Sequence, residues 1–391
     1  MVPSETCGNC RSTVPAGVFC GNCGAGLRER GHPWMRAPVY AALPRESIVE
    51  PAITSTLFPH LARQARNPFR HGLALLFTAL IAGSMLRLTG PLVTIAALGI
   101  PLLFVLYVWQ SGVYRDIGVG TLLMTAAVGV VAGVAWPLLT GGLVARYYGI
   151  SLAAGFVLEH VLTLGLVVAL GASVLMVLPA VVVRLARPGP RESMEGFVIG
   201  ALGALCYTGA ATVTRLAPQY VAGFIDTFPR SRLLVESALY GVALPLTAAA
   251  TGAMIGIVLW FRPSDRVREH PVLMRAVLLA FTVLVGAIYL TLWVIDASRL
   301  TKVSQLALHI VMTALALLAL RIGVQLALLH ESTDPATGAP LLCSRCERVV
   351  PDMPFCPACG VAARAAPRAS RTLRRESPPE RIPSDHPQPS S

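Results

Sequence analysis

Lysine is almost missing from this 391-residue chain. Lys302 is the only one, so arginine carries nearly all of the basic side of a +12 net charge. Charge of either sign is scarce: 13% of the residues are Asp, Glu, Lys or Arg, where soluble domains carry about 25%. With 54% hydrophobic residues, that shortage excludes an ordinary water-soluble globular protein. An apolar leader is missing too. The first residues are polar and run directly into a cysteine motif, so no cleavable secretion signal is expected. The excess of Arg, Ala, Gly, Val and Pro reads as a GC-rich bacterial coding bias. It does not point to nucleic acid, because basic residues beside membrane spans are expected on the cytoplasmic side.

What the chain does have is a series of apolar runs near 20 residues. They predict an all-α polytopic membrane protein with about eight transmembrane helices. The expected spans are residues 72–88, 91–110, 117–138, one within 150–185, 195–215, 233–261, 272–295 and 303–330. The stretch 150–185 is ambiguous, since as one helix it would be about 54 Å long against a hydrocarbon core of about 30 Å. Either two short spans turn near Gly171, or an interfacial piece around residues 151–160 leads into one span.

Each end of the transmembrane region carries a cysteine motif. Cys7-Gly-Asn-Cys10 and Cys20-Gly-Asn-Cys23-Gly24 are separated by nine residues, and Cys343-Ser-Arg-Cys346 and Cys356-Pro-Ala-Cys359-Gly360 repeat that spacing. Two such knuckles supply four thiolates to one tetrahedral ion, and the pattern reads as a zinc ribbon, with about two structural Zn²⁺ per chain. Four cysteines close the coordination shell and leave no position for catalysis. So short a segment cannot build a core, so the metal would supply the folding energy. Reduced thiolates suit the cytosol. With both ribbons there the span number is even, which selects one span within 150–185. Arg63, Arg66 and Arg70 beside the first span agree with that orientation.

The remaining segments complete the domain plan. Residues 1–30 form the first ribbon and 31–70 a juxtamembrane linker. Residues 71–330 form the bundle, 340–361 the second ribbon, and 362–391 a basic tail expected to be disordered. The linker holds Pro33, Pro38, Pro44, Pro51, Pro59 and Pro68, too many for one long helix.

The stretch Glu195 to Thr212, E-G-F-V-I-G-A-L-G-A-L-C-Y-T-G-A-A-T, places Gly196 and Gly200 one turn apart on one helix face. Small residues at that spacing let helix backbones approach closely in lipid. The plainer reading is a helix packing face; the alternative is contact with a membrane-spanning partner or a second copy of the chain. The stretch also resembles a helix of the PrsW-type glutamic intramembrane proteases, over about 150–262. In that family an Asp-Gly start leads through spaced glycines to a buried Glu. Here Glu195-Gly196 matches the start, Gly200 the next glycine and Tyr207 a Phe, while Cys206 replaces a glycine and Ala211 stands where the Glu would be. A family Glu-Glu motif falls near Ala172, Ser173 and Met176, or alternatively at 179–184. A family His falls in 241–252, which keeps Thr247 and Gly252 but holds no His. The resemblance implies the scaffold of an intramembrane protease without its site.

Few ionisable residues remain in the spans. Glu159, His160 and Glu236 are the candidates for a rearranged protease site, since hydrolysis needs groups able to activate water. His309 and Arg321 complete the set. Their plainer readings are an interfacial carboxylate, a hydrogen-bonded core histidine and an arginine snorkelling to the surface. The sequence therefore predicts a non-catalytic binding or regulatory protein of a bacterial plasma membrane, both termini cytoplasmic. Its expected contacts are the lipid bilayer and an unidentified membrane or cytosolic protein. The alternative is an active protease cleaving membrane-anchored regulators.

Overall fold

A computed structural model describes residues 3–27, 39–50, 52–61, 66–150, 158–187, 192–222, 229–263, 271–298, 300–332, 334 and 338–377. The chain opens with a small hairpin, β1 (Ser4–Thr6) and β2 (Thr13–Pro15), pairing Glu5 with Val14. A short helix α1 (Ile53–Leu57) precedes the bundle. The long helices follow: α2 (Arg66–Met85), α3 (Thr89–Ser111), the one-turn α4 (Tyr114–Ile117), α5 (Val119–Ile150), α6 (Leu158–Ala186) and α7 (Ser193–Ala222). Next are α8 (Arg230–Ala238), α9 (Leu244–Trp260), α10 (Pro271–Ala297) and α11 (Lys302–His330). A second hairpin, β3 (Leu341–Leu342) and β4 (Val349–Val350), leads to a last helix α12 (Arg368–Glu376). Helices α8 and α9 are one span joined through a π-turn over Leu239–Ala243. Pro245 explains it: proline has no N–H to give the carbonyl four residues back, so the helix widens to pass it.

Seven helices among the described residues are long and apolar enough to cross a membrane: α3, α5, α6, α7, α8–α9, α10 and α11. Their outer faces carry exposed Leu102, Leu123, Val174 and Val283, as expected where hydrocarbon is the solvent. Helix α7 is the axis. Its membrane window is 83% buried, against 22% for α5, and α3, α5, α6 and α9 all pack on it. Helix α2 is not among the seven, because Arg70 and His71 lie in its first turns. The ribbons touch each other (below), so they share one end of the bundle.

Of the ambiguous stretch, the part from Leu158 on is one helix, α6, while 151–157, where an interfacial piece was expected, lie outside the described residues; α5 runs on to Ile150, beyond the expected end at 138. Three expectations need correction. First, residues 39–50 and 52–61 are not a linker beside the bundle but part of it. Tyr40, Ala42, Leu57 and Phe58 are buried in the main core. The prolines do prevent a long helix, but α11 holds the backbone instead. Gln325 accepts a hydrogen bond from the Ala41 N–H at 2.7 Å and donates to the Val39 carbonyl at 3.1 Å. One turn away Arg321 binds Ser55 Oγ at 2.6 Å and Glu46 at 2.9 Å, with the Tyr40 ring 4.0 Å beneath its guanidinium. Arg321 is only 1% exposed; it is an anchor inside the protein, not a snorkelling arginine. Second, the tail is ordered through residue 377, with α12 seated by ion pairs; residues 378–391 lie outside the described residues. Third, the Gly196/Gly200 face is not open to a partner. It is filled by α9, where Gly196 meets Gly256 and Gly200 meets Gly252 with no room for a Cβ between the backbones.

Candidate metal centres

All eight motif cysteines come together as the spacing predicted, in two groups. Cys7, Cys10, Cys20 and Cys23 form one, and Cys343, Cys346, Cys356 and Cys359 the other. In each, the four sulfurs lie within 4.8 Å of one another. The shorter separations are 3.8 Å for Cys7–Cys23, 3.7 Å for Cys10–Cys20, 3.8 Å for Cys343–Cys359 and 3.9 Å for Cys346–Cys356. Sulfurs about 2.3 Å from one tetrahedral ion sit about 3.8 Å apart, whereas a disulfide needs about 2.05 Å. The residues therefore fit a four-thiolate metal site at each end of the chain.

The backbone builds these sites the same way four times. After each knuckle one residue takes a left-handed conformation: Arg11 (φ 56°), Gly24 (75°), Glu347 (58°) and Gly360 (77°). Its N–H then donates to the carbonyl of the first cysteine, from Arg11 to Cys7, Gly24 to Cys20, Glu347 to Cys343 and Gly360 to Cys356. Glycine signalled two of these turns in the sequence. The other two use residues with a Cβ, so no glycine marked them.

The two ribbons dock on each other as near copies related by a local two-fold. The Phe19 N–H donates to the Pro357 carbonyl at 3.0 Å, and the equivalent Phe355 N–H donates to the Gly21 carbonyl at 2.9 Å. A Cβ on Gly24 would lie 2.8 Å from the Phe355 ring, and one on Gly360 would lie 2.9 Å from the Phe19 ring. Each ribbon thus lays its aromatic over the other's knuckle glycine.

Around this head lies a collar of charge that composition did not reveal. Glu192 and Glu195 at the start of α7 are 8% and 4% exposed, and Glu331 at the end of α11 is 3% exposed. Arginines from the tail meet them. Arg364 pairs with Glu331 at 2.6 Å, Arg368 with Glu195 at 3.1 Å, and Arg371 with Glu192 and, at 3.0 Å, with Asp334. Asp116 of α4 accepts both the Arg368 and Ala369 N–H groups at 2.7 Å, capping a helix whose own cap position is Pro367. Burial pushes the Glu331 carboxyl up, although Arg364 opposes it. Burial acts the same way on Asp334, but the Arg371 charge prevails and holds it down. His60 lies at the seam of head and bundle, against the backbones of Met194 and Ala365. Burial lowers it to about 4, and the charge of Arg371 adds to the effect. Removing one partner of such buried pairs costs roughly 3–5 kcal/mol.

The other predicted residues do not gather. Glu159 and His160 stand in the first turn of α6, and their side chains lie outside the described residues. Glu236 is on α8, paired with Arg232 at 3.0 Å in an i,i+4 bridge at the bundle end away from the ribbons. His309 is buried and hydrogen-bonded to Asp296 at 3.0 Å, as its plainer reading had it. Of the positions aligned with the protease motifs, Ala172, Met176 and Tyr207 share one buried apolar cluster, while Ala211, also buried, lies outside it. Ala248 of α9 and Tyr289 of α10 belong to the same cluster. Comparisons with protein-family models, with curated proteins and with solved structures find no match to this chain.

Proposed function

We propose that this chain is a non-catalytic regulatory scaffold of a bacterial plasma membrane. It has the helical framework of a PrsW-type protease and a structural Zn²⁺ in each ribbon. The observation that carries this reading is what stands at the aligned positions: Ala172 and Met176 of α6 where the resemblance puts its Glu-Glu motif, Ala211 of α7 where it puts the buried Glu, all three buried, and no His within 241–252. These positions supply methyls and a thioether. None of these activates water for hydrolysis at neutral pH. Glu236, a candidate for a rearranged site, is engaged by Arg232. The ribbons and α12 make a rigid head at the end that carries Arg115 and Arg187, the side expected to be cytoplasmic. Such a head is suited to holding a cytosolic protein next to a membrane-bound one.

The test compares membrane-protein fragments in wild-type cells, a deletion strain and a Glu159→Ala strain. The proposal expects the same fragments in all three. Fragments lost in both altered strains would establish an active protease working through Glu159.

A further inference from the structure

We infer that α12 is a latch seated by the metal of the C-terminal ribbon, and that it transmits metal occupancy to the start of α7. The inference rests on the metal-binding reading of the cysteine clusters. Its basis is that α12 is held from two sides. On the bundle side Glu192 and Glu195 of α7 take Arg371 and Arg368, and Asp116 caps the helix. On the ribbon side Asp352, in the loop between β4 and Cys356, takes Arg375 through two bonds of 2.8 and 3.2 Å. Cys343, Cys356 and Arg374 line one small cavity.

These two sides respond differently to metal. Glu192 and Glu195 are placed by the start of the long helix α7 and do not need an ion. Asp352 lies in the loop of a short ribbon built around its four cysteines, and such a ribbon unfolds when its thiolates lose their metal. Its loss would remove the Asp352 contact and loosen the chain from residue 340 to 367 that delivers α12. Nine residues are too few to stay helical alone in water. The helix would leave, and Glu192 and Glu195 would stand buried without their arginines at the head of the most central helix of the bundle. A buried unpaired carboxylate is strongly disfavoured, so the start of α7 would have to open to water or take up protons. Metal state at the head would in that way alter packing in the membrane.

The experiment uses the full chain in detergent under reducing conditions. Zinc content is measured first, and then trypsin cleavage at Arg368, Arg371, Arg374 and Arg375 is followed before chelation, after it, and after zinc is returned. The expected result is about two zinc ions per chain, protection of these four sites when loaded, cleavage at least about tenfold faster when stripped, and recovery with zinc. Asp352→Asn, which keeps all eight cysteines, should give partial release with zinc still bound. Protection unchanged after chelation, in protein whose four C-terminal cysteines have become open to alkylation, overturns the latch while leaving the metal sites standing. A zinc content near zero overturns the metal reading and the latch together.

Discussion

Two joints in this molecule are built on facing glycines, and they work differently. Inside the bundle, α7 and α9 run antiparallel with Gly196 on Gly256 and Gly200 on Gly252. In the head, Gly24 lies under Phe355 and Gly360 under Phe19. The first joint is backbone on backbone. In lipid no hydrophobic gain drives helices together, so close van der Waals packing has to hold them. The second is aromatic on backbone in contact with water, where covering Phe19 and Phe355 is itself favourable. Its glycines also answer a conformational demand, since both have positive φ. The first joint needs nothing from outside the chain, while the second exists only as long as each ribbon holds its shape.

The largest expected effect separates the two joints outright. Stripping metal should remove roughly 10–16 kcal/mol of folding free energy per site at neutral pH, unfolding the head and leaving the bundle. Circular dichroism should keep most of its helical signal, while alkylation of the eight cysteines becomes fast. A bundle that melts with the head would show that the joints are not independent.

The same substitution placed in both joints comes next. Gly200→Ala pushes a methyl into the Gly252 carbonyl, which cannot yield without parting α7 from α9, and should cost roughly 3 kcal/mol or more. Gly24→Ala meets a ring edge that can tilt and adds left-handed strain, for about 1–2 kcal/mol. Thermal unfolding in detergent should show the bundle transition fall for the first. Zinc release in mild denaturant should come earlier for the second. Equal effects would erase the distinction between a backbone contact and an aromatic one.

An effect confined to low pH concerns the seam. His60 is lowered to about 4 in the folded chain, against about 6.5 when unfolded. Between these values the unfolded chain binds a proton that the folded chain refuses. Stability is therefore complete above pH about 6.5 and falls as pH drops towards 4, by roughly 3 kcal/mol over the window. His60→Gln should flatten this slope relative to wild type in paired unfolding measurements. A parallel slope in the variant would assign the pH response to the carboxylates of the collar.

Much of this was legible before any coordinates. The cysteine spacing named all eight thiolates and their grouping, because a knuckle is local: four residues and one turn define it. Apolar runs gave the spans because their length is fixed by a solvent and not by neighbours. The errors fell where a distant partner decides. The polar segment around Glu46 and Ser55 looked like a linker until Arg321 was found to reach it across some 270 positions. Helix α12 looked like a disordered tail because the acids that hold it, Glu192 with Glu195 and Asp116, lie in two other parts of the chain. Gly196 and Gly200 announced a close approach but could not say to whom.

By itself the sequence determined a membrane-embedded helical protein with a four-thiolate site at each end, since solvent preference and ligand spacing act over short stretches. Only the tertiary structure decided that the two ribbons dock as a pair, that Gly196 and Gly200 face α9, and that α12 closes the head. Each of those depends on complementary groups distant in the chain, whose pairing follows from how the helices stack around α7.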